Sequence, residues 1–438
     1  MPPVPSDIET RRRPIRHRQW ERLQGLLKTV LPMNRFWSKR LDGLPLDTLE
    51  EFLQHCPYLA KKALVEDREA FPPYGSNLTY PIENYTRFCQ TSGSSGQPLA
   101  WLDSRDDWRA MLDCWEHIFR KAGVEAGDDR MFFPFSFGPF LGFWTAFEAA
   151  ARMGCLVIPG GGLTTSARLQ LMHHHACTVV CCTPTYALHM GEVRRADPLL
   201  DRAPWALKTF IVAGEPGGSL QEIRDRIAGY WPGVRVFDHH GLTEVGPMSF
   251  QDPKAPDRLQ VVEDTYLVEI IDPASGREVL PGAEGELVVT TLRRLGCPLL
   301  RYKTGDLVRK GYTRTGRLTL EGGVLGRLDD MVVVRGVNVY PSAVDAVLRR
   351  YAQVEEYQVR EERRGELLEL RVFVELSAQL RPIQTAALKK QIEQVLRDTF
   401  SMRIPVEVLR PGALPRFEFK ARRWIKEAAK PPTTDFSP

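Results

Sequence analysis

The stretch CQTSGSSGQPLAW, residues 89–101, packs glycines among hydroxyl side chains at positions 91–96, then meets Pro98 before the apolar run Leu99, Ala100, Trp101. Glycine lets the backbone turn where a Cβ would clash, so successive N–H groups can converge on an anion while serine and threonine hydroxyls add donors. Such a loop can hold phosphate. It is not the nucleotide loop in which Gly-Lys-Ser/Thr opens a helix, because Gln97 follows Gly96. A serine- and glycine-rich turn by itself is more often an ordinary surface loop. The rest of the chain decides between the two.

Outward from the loop, residues 104–122 read as a helix and 130–137 as an apolar, phenylalanine-rich strand. Short strand-like runs follow at 156–159, 178–182, 209–213 and 235–238, separated by helix-length segments. That alternation implies a parallel sheet with crossover helices and ligand-contacting loops at the strand C-terminal ends, where residues 213–217 and 237–244 fall. From 257 to 325 the texture becomes β-rich (TYLVEIID, GELVVTTL, GRLTLEGGVLGR), which suggests a smaller antiparallel or barrel-like part. Beyond it, MVVVRGVNVYPSAVDAVLRR, ELLELRVFVEL and a helical stretch at 385–399 predict a compact α+β domain of about 110 residues. On the other side of the loop, Leu23, Leu26, Leu27 and Val30 recur at helical spacing from Trp20 to before Pro32, and short helical pieces continue to about Glu69.

The expected fold class is therefore α/β: a large N-terminal domain with a parallel sheet, crossover helices and a β-rich part, and a small mobile α+β C-terminal domain. The expected boundaries are a disordered arm over 1–19, an N-terminal domain over 20–325 with a helical cap at 20–75, a C-terminal lid over 326–430, and a disordered tail over 431–438.

A chain of 438 residues with 43% hydrophobic and 26% charged residues is ordinary for a globular protein of two to three domains. The net charge of +4 is spread along the chain, which argues neither for nucleic acid nor for a membrane surface. Arg11, Arg12 and Arg13 form a basic run that reads as part of a solvated arm. No apolar run reaches the ~18 residues of a membrane span, and residues 1–19 lack the hydrophobic centre of a secretory signal. A cytoplasmic location is expected. The eight cysteines, Cys56, Cys89, Cys114, Cys155, Cys177, Cys181, Cys182 and Cys297, lack the paired spacing of a zinc ribbon or a disulfide framework, so reduced thiols are expected. His173, His174 and His175 lie near three of them, but adjacent histidines on a helix point in different directions and make a poor zinc site.

Three further stretches follow in order: HHGLTEVGPM (239–248), YKTGDL (302–307) and GRLDDMVVVRGVNVYPS (326–342). With the loop at 91–96, and with CCTPTYAL (181–188) and AGEP (213–216), they resemble the acyl-adenylate-forming superfamily of acyl-CoA synthetases, adenylation domains and luciferases. Within it the chain is most similar to the phenylacetate-CoA ligase family, over roughly residues 18–426.

The resemblance implies ATP-dependent adenylation of an aromatic (aryl or arylacetic) acid followed by thioester formation with coenzyme A. It places the β- and γ-phosphates on Thr91, Ser92, Gly93, Ser94, Ser95 and Gly96, the α-phosphate on Thr243, and a bridging magnesium ion on Glu244, a hard oxygen ligand. Gly214, Glu215 and Pro216 would form one wall of the nucleotide site, with Asp238, His239 and His240 opposite. Asp306 would accept the ribose hydroxyls and Arg327 would donate to ribose or phosphate. Phe135, Phe137 and Gly138, with Ala213 and Gly241, would line the acid, where aromatic walls favour a flat aryl group. Asp329 matches the hinge about which the C-terminal domain turns between an adenylating and a thioester-forming pose. Arg335, Gly336 and Tyr340 would lie near the coenzyme A thiol. In LPRFEFKARR (414–423), Lys420 matches the catalytic lysine that bridges the acyl carboxylate and the α-phosphate.

The chain departs from the family at Gln97, where lysine is usual, at His240, where tyrosine is usual, at Phe419, where glycine is usual, and at Phe135 and Phe137, which align to tyrosines. Some family members carry a Cys/His zinc site around segments matching 247–260 and 309–317. Here those segments hold no cysteine or histidine, so no structural zinc is expected. Two rival readings stay open: adenylation with transfer to an amine or a carrier-protein thiol, and a non-catalytic nucleotide-binding protein. The homodimeric state is left open as well.

Overall fold

A computed structural model describes residues 6–91, 98–334, 337–364, 367–417 and 423–426. Its strands are β1 Tyr85–Gln90, β2 Ala100–Ser104, β3 Arg130–Phe133, β4 Leu156–Pro159, β5 Val179–Cys182, β6 Thr209–Val212 and β7 Arg235–Leu242. They continue as β8 Gly246–Asp252, β9 Ala255–Val261, β10 Tyr266–Ile271, β11 Glu284–Thr291, β12 Tyr302–Tyr312 and β13 Leu318–Arg327. The last are β14 Val332–Val334, β15 Val337–Val339, β16 Val354–Arg364, β17 Leu367–Leu376, β18 Val406–Leu409 and β19 Trp424–Lys426. The chain divides into two compact units, residues 1–325 and 326–438.

In the first unit, eleven strands form one sheet in the order β10-β11-β12-β13-β9-β8-β7-β6-β5-β3-β4 among the described residues. β4, β3, β5, β6 and β7 run parallel. Side chains alternate along them as the pleat requires. Phe132, Val180, Phe210 and Val236 enter one buried cluster, while Met131, Phe133, Val179, Cys181, Ile211 and Phe237 enter another. Burial on both faces of β3, β5 and β6 is why they read in the sequence as short, continuous apolar runs, whereas the edge strand β4 is partly exposed.

β7 joins the two halves of the sheet. Residues 235–238 pair in parallel with β6, residues 239–242 pair antiparallel with β8, and a bulge falls between His240 and Gly241. The β-rich stretch is thus continuous with the parallel one, and HHGL sits where the pairing changes. Gly241 is required there, since a Cβ would stand 2.7 Å from the Gly246 carbonyl oxygen.

The disordered arm expected over 1–19 is corrected by the structure from residue 6 on, where a helix runs over Ser6–Met33; residues 1–5 lie outside the described residues. Arg12 is buried, donating to Glu263 Oε1 and to the Gly316 carbonyl, each at 2.9 Å. Gln19 donates to the carbonyls of Glu263 and Tyr266 at 3.1 and 3.0 Å. Local propensity gives no sign of this, because polar contacts to distant segments of the chain, around residues 263–266 and Gly316, hold a helix that contains Pro14. Shorter helices follow at Arg35–Leu41, Leu49–His55 and Lys61–Ala70. Thr48 and Glu51 form a reciprocal capping box on the second of these.

The second unit carries a sheet in the order β18-β17-β16-β19 and the hairpin β14-β15. Helices Pro341–Arg349 and Pro382–Phe400 supply Val344, Val347, Leu348, Ile392, Leu396 and Phe400 to a core shared with Val359, Val372 and Val374. This is the α/β class expected, with a large first domain and a small α+β second one. No helix among the described residues is long and apolar enough to cross a membrane.

Candidate active site

β1 and β2 pair antiparallel and bracket residues 91–99. Thr91 closes the neck of this hairpin. Its N–H donates to the Leu99 carbonyl and its hydroxyl accepts the Leu99 N–H, both at 2.9 Å. Arg68 donates to the carbonyls of Pro98 and Ala100 on the returning side. The Gln90 N–H donates to the Pro139 carbonyl at 2.7 Å, tying the neck to the loop after β3. Of the expected phosphate loop, Ser92, Gly93, Ser94, Ser95 and Gly96 lie outside the described residues, as does Gln97.

Asp103, near the end of β2, is fully buried and takes two hydrogen bonds from Arg294, at 2.6 and 2.9 Å. The same guanidinium donates to the carbonyls of Thr243, at 3.4 Å, and Glu244, and lies 5.2 Å from the centre of the Trp101 ring. Burial opposes the charge on Arg294, but Asp103 against it outweighs that cost and raises its pKa, so the guanidinium stays charged. One buried cation therefore locks the β1-β2 hairpin to the Thr243–Glu244 turn. Sequence reasoning did not find Arg294. The pair Arg293 and Arg294 in a β-rich stretch carries no local signal of which one is buried against Asp103.

The Glu244 side chain is itself nearly buried. Lys61 Nζ stands 3.3 Å from its Oε1 and the Tyr302 hydroxyl donates to the same oxygen at 3.5 Å. Lys61 was also missed, although it left a trace. Lys61 and Lys62 open a helix whose first turn holds no acid, the end where the macrodipole disfavours cations.

Asp238, His239 and His240 divide inside from outside. The Asp238 carboxylate accepts from Ser219 Oγ at 2.5 Å and from the His239 N–H at 2.9 Å. Burial pushes its pKa up to about 6, although both donors favour the charge. His239 is buried edge-on to Trp115, with ring centres 4.3 Å apart, and its Nδ1 lies 3.0 Å from the Ser249 carbonyl oxygen. Burial lowers its pKa to about 4. Both residues are held by neighbours of the strand. His240 differs: its Nε2 is 3.2 Å from Asp306 Oδ2, while its buried Nδ1 has no partner among the described residues. With Nε2–H on Asp306, Nδ1 is an acceptor available to a ligand donor. Asp306 is buried, and its N–H donates to Thr304 Oγ1 at 3.1 Å.

At the end of β6, the Ala213 N–H donates to the Cys182 carbonyl at 3.1 Å, and Gly214 adopts φ +90°, where a side chain would be strained. Glu215 accepts the Thr185 N–H at 2.7 Å, placing its carboxylate at the N-terminal end of the helix Pro184–Ala196. Pro216 is exposed. In the loop after β3, Phe135 is buried and stacked on Phe143 with centroids 4.0 Å apart. Phe137 packs edge-on to Trp144 at 4.9 Å and Phe147 at 5.1 Å. The Gly138 carbonyl accepts the Trp144 indole N–H at 2.9 Å.

In the second unit, Arg327 pairs with Asp329 at 3.3 Å. Tyr340 packs beside Gly326, 3.6 Å from where a Cβ would be. Lys420, Phe419, Arg335 and Gly336 lie outside the described residues. Among those described, no cluster of three His, Cys, Asp or Glu is set up for a metal ion. Glu244 alone nonetheless suits a hard cation that keeps waters and takes its other ligands from phosphate, as magnesium does.

Two family models match the chain: AMP-binding enzyme over residues 81–292 and AMP-binding enzyme C-terminal domain over residues 336–427. The phenylacetate-coenzyme A ligase of Pseudomonas putida is 31% identical over 93% of this chain and 93% of its own length. Among solved structures, 2-hydroxyisobutyryl-CoA ligase in the postadenylation state with 2-HIB-AMP is similar at a TM-score of 0.86 and 27% identity, covering 93% of this chain and 88% of that one. The same ligase with 2-HIB-AMP and CoA in the thioesterification state gives 0.68 at 27% identity, covering 94% and 89%.

Proposed function

This chain belongs to the phenylacetate-CoA ligase family, and from that premise we propose that it activates an aryl or arylacetic acid with ATP and passes the acyl group to coenzyme A. In the first half-reaction a carboxylate oxygen attacks the α-phosphorus, the new O–P bond forms as the α–β bridge breaks, and pyrophosphate leaves. In the second, the coenzyme A sulfur attacks the acyl carbon, a C–S bond forms, and AMP leaves with the anhydride oxygen while the thiol proton passes to solvent.

The observation that carries this reading is the Arg294 tie. It holds the hairpin bearing Thr91 and the turn bearing Thr243 and Glu244 in one place, as a triphosphate spanning both requires. Alignment and charge neutralisation are the main work in such a displacement. Thr91 and the loop after it would take the departing phosphates, Thr243 the α-phosphate, and Asp306 the ribose. The free acceptor on His240 suits a hydroxyl or amine donor of the nucleoside. Glu244 is the residue to hold magnesium, which when bound offsets charge on the phosphates. Lys420 would bridge the acid and the α-phosphate, and Asp329 would serve as the hinge between half-reactions. The stacked Phe135 and the Phe137 edge offer a flat, apolar wall to an aryl group. We place the enzyme in the cytoplasm.

The test incubates the protein with a panel of aryl acids, ATP and magnesium, follows pyrophosphate, and then adds coenzyme A and weighs the product. Acid-dependent release followed by a coenzyme A thioester is the expected result. No release with any acid overturns the reading. Release with an amide formed from a supplied amine, and no thioester, moves the acceptor away from coenzyme A.

A further inference from the structure

We propose that Lys61 is the resident counter-ion of the metal-binding carboxylate, and that it vacates Glu244 for the triphosphate when a divalent cation arrives with the nucleotide. This rests on the adenylation reading and on Glu244 as the metal ligand within it. The geometry is specific. Lys61 Nζ lies 3.3 Å from Glu244 Oε1, the oxygen that also accepts the Tyr302 hydroxyl. The lysine is delivered there by backbone pairing. Leu59 bridges Tyr302 in parallel, its N–H donating to the Arg301 carbonyl at 3.0 Å and its own carbonyl accepting the Lys303 N–H at 2.9 Å. Two residues after this splice, Lys61 opens its helix at an end that does not favour a cation. The Glu244 side chain is 10% exposed and that of Lys61 34%. The carboxylate is therefore fixed in place, and the ammonium, on a flexible stem with water within reach, is the partner able to move.

A metal ion on Oε1 would stand within a few ångströms of the ammonium, where two positive charges repel strongly in a partly buried site. Free metal must therefore displace Lys61 into water, with no new anion to receive it. Metal arriving with a triphosphate brings new anionic oxygens, and the ammonium exchanges one anion for another. Lys61 then contributes a positive charge to the phosphate side of the site, where the loop sequence TSGSSGQ has none. No bond is made or broken in this exchange.

The test titrates manganese, followed by its electron paramagnetic signal, into the full-length protein without nucleotide. Lys61→Met should bind manganese about tenfold more tightly than the unsubstituted protein, while its KM for magnesium-ATP rises by at least a similar factor. Lys61→Arg should restore both values most of the way. In a Glu244→Gln background, Lys61→Met should no longer change manganese affinity. Equal manganese affinity with and without Lys61, or an unchanged KM for magnesium-ATP in Lys61→Met, overturns the proposal. So does a tightening of the same size in the Glu244→Gln background. Acid-dependent pyrophosphate release by the unsubstituted enzyme tests the adenylation reading separately, so the two can fail independently.

Discussion

His239 and His240 stand side by side in the motif, yet successive residues of a strand face opposite ways, so they meet different surroundings. The resemblance placed both on the nucleotide; in the structure His239 packs against Trp115, and the buried Nδ1 of His240 has no partner among the described residues. The pleat rule was available from sequence, but which face was inward was not. That depended on Trp115 and Ser249, from a distant helix and strand. Burial also sets up an opposed pair of titrations. His239 goes from 6.5 to about 4, so the unfolded chain takes up a proton in that window that the folded chain refuses, and stability drops as pH falls. Asp238 goes from 3.8 to about 6, so the folded chain keeps a proton that the unfolded chain has lost, and stability drops as pH rises. Between pH about 4 and 6 the two slopes offset. Asp238→Asn should expose the first, losing about 3 kcal/mol on acidification from pH 6.5 to 4 relative to the unsubstituted protein. His239→Gln should expose the second, with the opposite slope. Urea unfolding at a series of pH values checks both, and parallel curves for all three proteins would refute the opposed pair.

Elements were legible where one period ran through them. The short parallel strands, the helix Arg105–Lys121 with Ser104 as its cap, and the helix Pro382–Phe400 all lie close to where the apolar pattern put them. What did not show was how elements are tied together, because each tie is a single polar residue with a remote partner. The helix Ser6–Met33 depends in this way on Arg12 and Gln19. The β1-β2 hairpin likewise depends on Arg294, which reaches both Asp103 and the turn between β7 and β8. Breaking a buried pair by removing one partner leaves the other charge uncompensated. Arg294→Met should therefore destabilise the first unit by about 3–5 kcal/mol. Replacing both partners, as Arg294→Met with Asp103→Leu, should recover much of that loss while leaving the KM for ATP raised, since the hairpin is no longer fixed to Glu244. Denaturant midpoints and ATP kinetics on the single and double variants separate the two effects. A double variant with unchanged KM would mean that the tie serves stability alone.

At the scale of the whole molecule, the two units have separate cores, and the residues assigned to catalysis are divided between them. The motifs gave this division because each is short and local. A division of labour between half-reactions then predicts opposite phenotypes for variants in the second unit. Lys420→Ala removes a cation proposed to act as charge shifts in adenylation, so pyrophosphate release should fall by roughly 10²-fold, the scale of losing one charge-stabilising donor. Transfer from a supplied acyl-adenylate to coenzyme A should survive. Asp329→Pro acts on the backbone instead. Asp329 lies in a single helical turn over Leu328–Asp330, where proline fixes its own φ and drives Leu328 out of helical geometry. Stiffening that segment should spare pyrophosphate release and suppress thioester formation. Measured side by side, the two half-reactions should respond in a crossed pattern. If each variant lowers both steps by the same factor, the hinge and the lysine do not act at separate stages, and the second unit serves the reaction in one fixed pose.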